Sequence, residues 1–209
     1  MRTYIQQYRS LTKMTKMLKF SQWLIIEESD LVPREKIGSG HFANVYATDD
    51  PNVVMRLEPL GNNGEVCEKV MASPKMQSTG GVVKILGSEI RNIDGKVYKV
   101  TYKERVNINW ATILGSKYAN LLKKKYNISS LLKMMHSGEE TASKIGEVPA
   151  FIQLALEAFR TKETIIDFLS NFKEALGLIK AIKSGLAYND LHSDNLGLNK
   201  EGNLVVIDC

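Results

Sequence analysis

The stretch that most constrains this chain runs from Tyr188 to Asp208. There a polar loop, Asn189-Asp190-Leu191-His192-Ser193-Asp194-Asn195, leads into two short apolar runs, Leu196–Leu198 and Leu204–Ile207, joined by Lys200-Glu201-Gly202-Asn203. Two such runs around a glycine-containing turn read as a hairpin. A hairpin fixes what stands at its two ends, so Asn195 and Asp208, thirteen residues apart, are held on one rigid frame. The apolar run Val205-Val206-Ile207 ends directly in the acid Asp208.

The rest of the chain divides by periodicity. Glu35–Gly38, Asn44–Thr48 and Asn52–Leu57 read as strands, and Val82–Arg91 and Lys96–Arg105 as a strand pair turned by Asn92-Ile93-Asp94-Gly95. Gly64–Ser73 reads as one helix among them, closed by Pro74. Beyond Val106 the pattern is helical, over Ile108–Tyr126, Ser129–His136 and Ala150–Arg160. The clearest helix runs from Thr164 to about Ser184, with Ile165, Phe168, Leu169, Phe172, Leu176 and Ile179 on one face and Gly185 as C-cap. The expectation is an α+β fold in two lobes. Residues 1–30 form a basic helical extension, 31–106 a strand-rich lobe, and 107–209 a mainly helical, minimal lobe ending at Asp208.

Composition enters where it excludes. No apolar run approaches the roughly 18 residues of a membrane span, so no membrane partner is expected. No secretory signal opens the chain, and Cys67 and Cys209 read as two reduced thiols of a cytoplasmic protein. No histidine–cysteine cluster has zinc spacing. The net charge of +5 is carried by residues 1–20, which hold Arg2, Arg9, Lys13, Lys16 and Lys19 and no acid, leaving 23 basic against 23 acidic residues. Such an arm suits an acidic partner or nucleic acid, and equally a solvated helix face.

Gly38-Ser39-Gly40-His41-Phe42-Ala43-Asn44-Val45 lies between two expected strands and fits G-x-G-x-x-G-x-V with Ala43 for the third glycine. Glycines let a backbone lie close over a polyphosphate with N–H groups turned toward it, and Phe42 at the tip can shield the site from water. A dinucleotide-binding loop needs a helix next, and a Walker loop needs Gly-Lys-Ser/Thr; neither is present. In the following strand, Val53-Val54-Met55-Arg56-Leu57, Arg56 supplies a cation, with Glu65 and Glu68 both available to pair with it.

In this order, the glycine loop, the basic strand, the long helix, Asp190-x-x-x-x-Asn195 and the strand-ending Asp208 resemble the protein-kinase superfamily from about Glu35 to Cys209. His192, two residues past Asp190, is typical of aminoglycoside and choline kinase relatives. The run Asp190-Leu191-His192-Ser193-Asp194-Asn195 and the loop Gly38–Phe42 with Val45-Tyr46 are also similar to the early serine/threonine kinases of T7-type bacteriophages. The resemblance implies an ATP- and Mg²⁺-dependent kinase made early in infection that modifies host proteins. It implies that Gly38, Ser39, Gly40, His41, Phe42, Val45 and Arg56 bind the nucleotide. It further implies that Asn195 and Asp208 ligate Mg²⁺ and that Asp190 accepts the proton of the attacking hydroxyl.

The chain departs from that pattern in four places. Arg56 stands for the strand lysine, Tyr188-Asn189 for His-Arg, and Cys209 for the Phe of D-F-G, after which no activation segment follows. A binding module that keeps the fold without catalysis, or a small-molecule phosphotransferase, are the competing expectations.

Overall fold

The computed structural model describes residues 32–40, 43–60, 65–126, 148–159, 161–189 and 191–208. The basic extension, Ser129–His136, His41, Phe42, Asp190 and Cys209 lie outside the described residues. The fold is α+β. Strands β1 (Pro33–Ser39), β2 (Asn44–Thr48), β3 (Val53–Pro59), β4 (Ile85–Ile93) and β5 (Lys96–Glu104) form an antiparallel sheet in the order β1-β2-β3-β5-β4. The β4–β5 turn is Asp94-Gly95, at φ 50° and 77°. A two-residue turn with both φ positive matches the twist of the flanking strands, and Asp-Gly tolerates it best.

Several element boundaries differ from those expected. β4 begins at Ile85 rather than Val82, because the preceding residues pair elsewhere. Val82 forms a parallel bridge to Val206, the Val83 N–H donates to the Val206 carbonyl (2.8 Å), and the Val206 N–H donates to the Gly81 carbonyl (3.0 Å). Helix α1 (Glu65–Ala72) is not simply closed by Pro74. The Ser73 side chain accepts from the Met76 N–H and opens a second short helix, α2 (Pro74–Gln77), with proline at a position that needs no donor.

The single helix expected over 164–184 is two helices. After α3 (Trp110–Lys125) and α4 (Val148–Ala158), α5 (Lys162–Leu169) is followed by a 3₁₀ turn, Lys173–Ala175, and then by α6 (Leu176–Lys183). The break has a local cause. Ser170 Oγ donates to the Asp167 carbonyl (2.6 Å), and Asn171 Nδ2 donates to the Phe168 carbonyl (2.6 Å) and to Tyr126 Oη (2.9 Å). These side chains take up carbonyls that a continuing helix would need. Apolar spacing does not reveal the break, since Phe168, Leu169, Phe172 and Ala175 stay buried across it, whereas Leu176 turns outward, 62% exposed. Gly185 does end α6 as expected, with the Leu186 N–H on the Ala181 carbonyl and its own N–H on that of Ile182.

The larger core gathers Trp110, Leu114, Phe151, Ile152, Phe168, Phe172, Leu178 and Ile182 with Met71 and Val206. A smaller one, Val53, Met55, Leu57, Val100 and Tyr102, lies on one face of the sheet. The backbones of Gly81 and Gly177 meet here, and a Cβ on Gly81 would stand 2.2 Å from the Gly177 carbonyl oxygen. That contact seats the start of α6 beside the segment that pairs with Val206. Among the described residues no helix is long and apolar enough to cross a membrane. Cys67 is disulfide-bonded rather than the expected reduced thiol. Separation along a sequence carries no information about pairing in space.

Candidate active site

β3 and β5 alternate strictly. Val53, Met55, Leu57, Val100 and Tyr102 face the small core, so Arg56, Glu58, Lys99, Thr101 and Lys103 share the opposite face. That face is polar, yet Arg56, Glu58, Thr101 and Lys103 are buried. Charged residues are almost never enclosed unless paired, so this surface is out of the ordinary.

The pairing comes from α1, which lays Glu68, 2% exposed, against the face. Glu68 Oε2 accepts from Thr101 Oγ1 (2.9 Å) and meets Lys99 Nζ (2.9 Å); Glu68 Oε1 lies 3.3 Å from Lys103 Nζ and 3.5 Å from Arg56 Nη1. Of the two glutamates left open by spacing, Glu68 is thus the partner of Arg56. The same guanidinium nitrogen donates to Glu58 Oε2 in a short charge-assisted bond. Burial acts to raise the Glu68 carboxyl, but Lys103, Lys99 and Arg56 outweigh it and hold its pKa down at about 2. Burial is likewise the largest influence on Lys103 and leaves its ammonium below the usual lysine range despite Glu68. Burial alone would lower Arg56, but Glu68, Glu58 and Asp208 together raise it.

Register ties the glycine loop to this face. Gly38 pairs with Val45, Val45 with Arg56 and Arg56 with Thr101, and directly opposed residues share a face. The loop is tight, with the Gly40 N–H on the Ala43 carbonyl (2.8 Å) and Ser39 Oγ on Asn44 Oδ1 (3.0 Å). Neither Gly38 nor Gly40 has positive φ, and an added Cβ would make only ordinary contact, at 3.6 Å and 3.7 Å. The local fold therefore does not demand glycine at either place. Ala43, in place of a third glycine, is buried.

The expected hairpin is present as β6 (Leu196–Leu198) and β7 (Leu204–Val206), one residue shorter at its end than the sequence suggests. It is docked on both sides of the sheet's last two strands, through Val82–Val206 before β4 and Asn107–Leu198 after β5. Asn195 ends a 3₁₀ turn, Ser193–Asn195, in which the Asp194 N–H donates to His192 Nδ1 (3.3 Å) and the Asn195 N–H to the His192 carbonyl (3.1 Å). The Ile207 N–H donates to the Asn195 carbonyl (2.9 Å), so the backbones of the two expected metal ligands are joined one residue from Asp208. Lys103 Nζ donates to the Ile207 carbonyl (3.2 Å), and Arg56 Nη2 stands 4.0 Å from Asp208 Oδ2. Asp208, 46% exposed, is where the buried charge cluster reaches solvent.

Arg56, Glu68 and Asp208 thus come together, Gly38 and Val45 join them through the sheet, and Asn195 is bound to the same hairpin. Asp190, His41 and Phe42 are outside the described residues. Sequence reasoning missed Glu58, Lys99, Thr101 and Lys103. Their signal was the alternation of charged with apolar residues along β3 and β5. The donor set fits a hard cation and a polyphosphate. Asn195 and Asp208 offer side-chain oxygens, a set suited to Mg²⁺, which takes one or two protein ligands together with phosphates and water. Beside them stand three cations facing two enclosed acids. No protein-family model matches this chain, and no curated protein matches it significantly.

Proposed function

We propose that this chain is an ATP-dependent serine/threonine protein kinase of phage type that transfers the γ-phosphoryl group of ATP to host proteins in the host cytoplasm. Residues 31–106 and 107–209 belong to the strand-rich and helical lobes of a kinase-like fold. The observation that carries this reading is the convergence of Arg56, Glu68 and Asp208, with Arg56 Nη1 3.5 Å from Glu68 and Nη2 4.0 Å from Asp208. A strand cation, a helix acid and an acid two residues past β7 meet beside a glycine hairpin that shares the cation's face. Phosphoryl transfer needs this kind of preorganised charge more than covalent chemistry.

In this reading the Gly38–Phe42 loop covers the phosphates. Asn195 and Asp208 hold Mg²⁺, which supplies charge compensation when bound. Asp190 orients the acceptor hydroxyl and takes its proton. The two glycines that the local fold does not require are accounted for by close approach to a ligand.

A second reading is favoured by one observation. Arg56 is 4% exposed and held by Glu58 and Glu68, which suits a binding module that has kept the fold without turnover.

Incubation with radiolabelled ATP and Mg²⁺, with and without host extract, separates the two. Label entering protein and lost in Asp190→Asn supports the kinase. Thermal stabilisation by ATP without any label supports the binding module, and no nucleotide binding at all removes the kinase.

A further inference from the structure

We infer that the ammonium that meets the nucleotide's phosphates comes from Lys103 on β5, while Arg56, at the strand position where a phosphate anchor is expected, is a structural cation. This inference rests on the nucleotide-binding reading above and names the residue that performs one of its tasks.

The cations of the cluster differ in how far it can spare them. Arg56 is committed, because its guanidinium bonds Glu58 Oε2, and Glu58 is buried among apolar and charged neighbours with its other carboxylate oxygen lacking a hydrogen bond. Withdrawing Arg56 would leave that carboxylate enclosed without a counter-charge. Lys99 is committed too, at 2.9 Å from Glu68 Oε2, the oxygen that also accepts from Thr101. Lys103 is held less closely than Lys99. It lies 3.3 Å from Glu68 Oε1, an oxygen that accepts no aligned hydrogen bond, and its one hydrogen bond to backbone is to the Ile207 carbonyl. Removing Lys103 from Glu68 leaves that carboxylate with Lys99, Thr101 and Arg56.

Position and charge agree with this choice. The Ile207 carbonyl immediately precedes Asp208, so the Lys103 ammonium sits against the backbone that carries a proposed metal ligand. A lysine ends in a compact charge on a flexible four-carbon stem with three donors, so it can turn from a carboxylate to a phosphate over a short distance. Among the described residues, Arg56, Lys99 and Lys103 face only two enclosed acids, Glu58 and Glu68. Asp208, the third, is half-exposed and assigned to the metal. With Asp208 engaged by the metal, the third cation of the cluster is what a phosphate group complements.

The test uses the full chain and ATP bearing an acyl group on its γ-phosphate, which transfers that group to an amine lying beside the phosphates. Peptide mass spectrometry should find the acyl group on Lys103, suppressed by excess ATP. ATP binding with the label on another lysine, or with none, overturns the inference while leaving the nucleotide site intact. In Lys103→Met, ATP affinity should fall by about tenfold or more with adenosine affinity unchanged. An equal loss for both, or no loss for either, assigns Lys103 a structural part and also overturns it. If the wild-type chain binds neither ATP nor adenosine, the nucleotide-binding reading fails first and this inference with it.

Discussion

Arg56 on β3 and Glu68 on α1 lie 3.5 Å apart inside the protein, both almost wholly withdrawn from solvent. Exposed ion pairs contribute little, but an enclosed pair that loses one member leaves a charge with no water to stabilise it. Arg56 serves Glu58 as well as Glu68, so Arg56→Met should destabilise the fold by about 3–5 kcal/mol in urea denaturation. Glu58→Met added to it should restore most of that loss. Arg56→Lys, which keeps a cation in place, should retain ATP-dependent labelling of protein. A dead Arg56→Lys variant with a normal fold would show that the guanidinium itself has a catalytic part.

Acid should act through Glu68. Its carboxyl sits at about 2, below the ordinary glutamate value of 4.5. Between those values the unfolded chain binds a proton that the folded chain does not, so stability is present above the unfolded pKa and is lost as pH falls toward 2. The loss attributable to Glu68 is on the order of 3 kcal/mol. Urea midpoints measured from neutral pH down through this window should fall steeply for the wild type. They should fall less for Glu68→Gln, which starts from a lower stability. Parallel curves would place the acid-sensitive group elsewhere.

Two glycines should matter for a reason unrelated to chemistry. Gly81 and Gly177 touch backbone to backbone, and a Cβ on Gly81 would stand 2.2 Å from the Gly177 carbonyl oxygen, with no flexible side chain to give way. Gly81→Ala should therefore cost about 2 kcal/mol or more in thermal or urea unfolding. A variant as stable as the wild type would mean that the start of α6 can move off the Gly81 segment freely.

What was legible in the sequence was local. Asp94-Gly95 announced its turn because few residue pairs accept two positive φ angles, and β6 and β7 were readable from short apolar runs around a polar turn. The meeting of Arg56 with Asp208 followed from motif order alone. The break between α5 and α6 was hidden because the buried apolar spacing continues through Phe172, while the cause lies in the side chains of Ser170 and Asn171. Choosing Glu68 over Glu65 required the rotation of α1 on the sheet. Lys103 and Glu58 were invisible for a related reason. Alternation along β3 and β5 separates two faces but does not tell that α1 covers the polar one. The pairing of Val82 with Val206 rests on contacts between distant segments and left no periodic trace.

Calorimetric titration reads whether Asp208 and Asn195 hold a metal that in turn holds nucleotide phosphates. ATP should bind the wild-type chain about tenfold or more tightly with Mg²⁺ than with a chelator. Asp208→Asn should remove that difference while leaving adenosine binding unchanged. Equal ATP affinity with and without Mg²⁺ in the wild type, or a Mg²⁺ dependence that survives Asp208→Asn, would contradict the account.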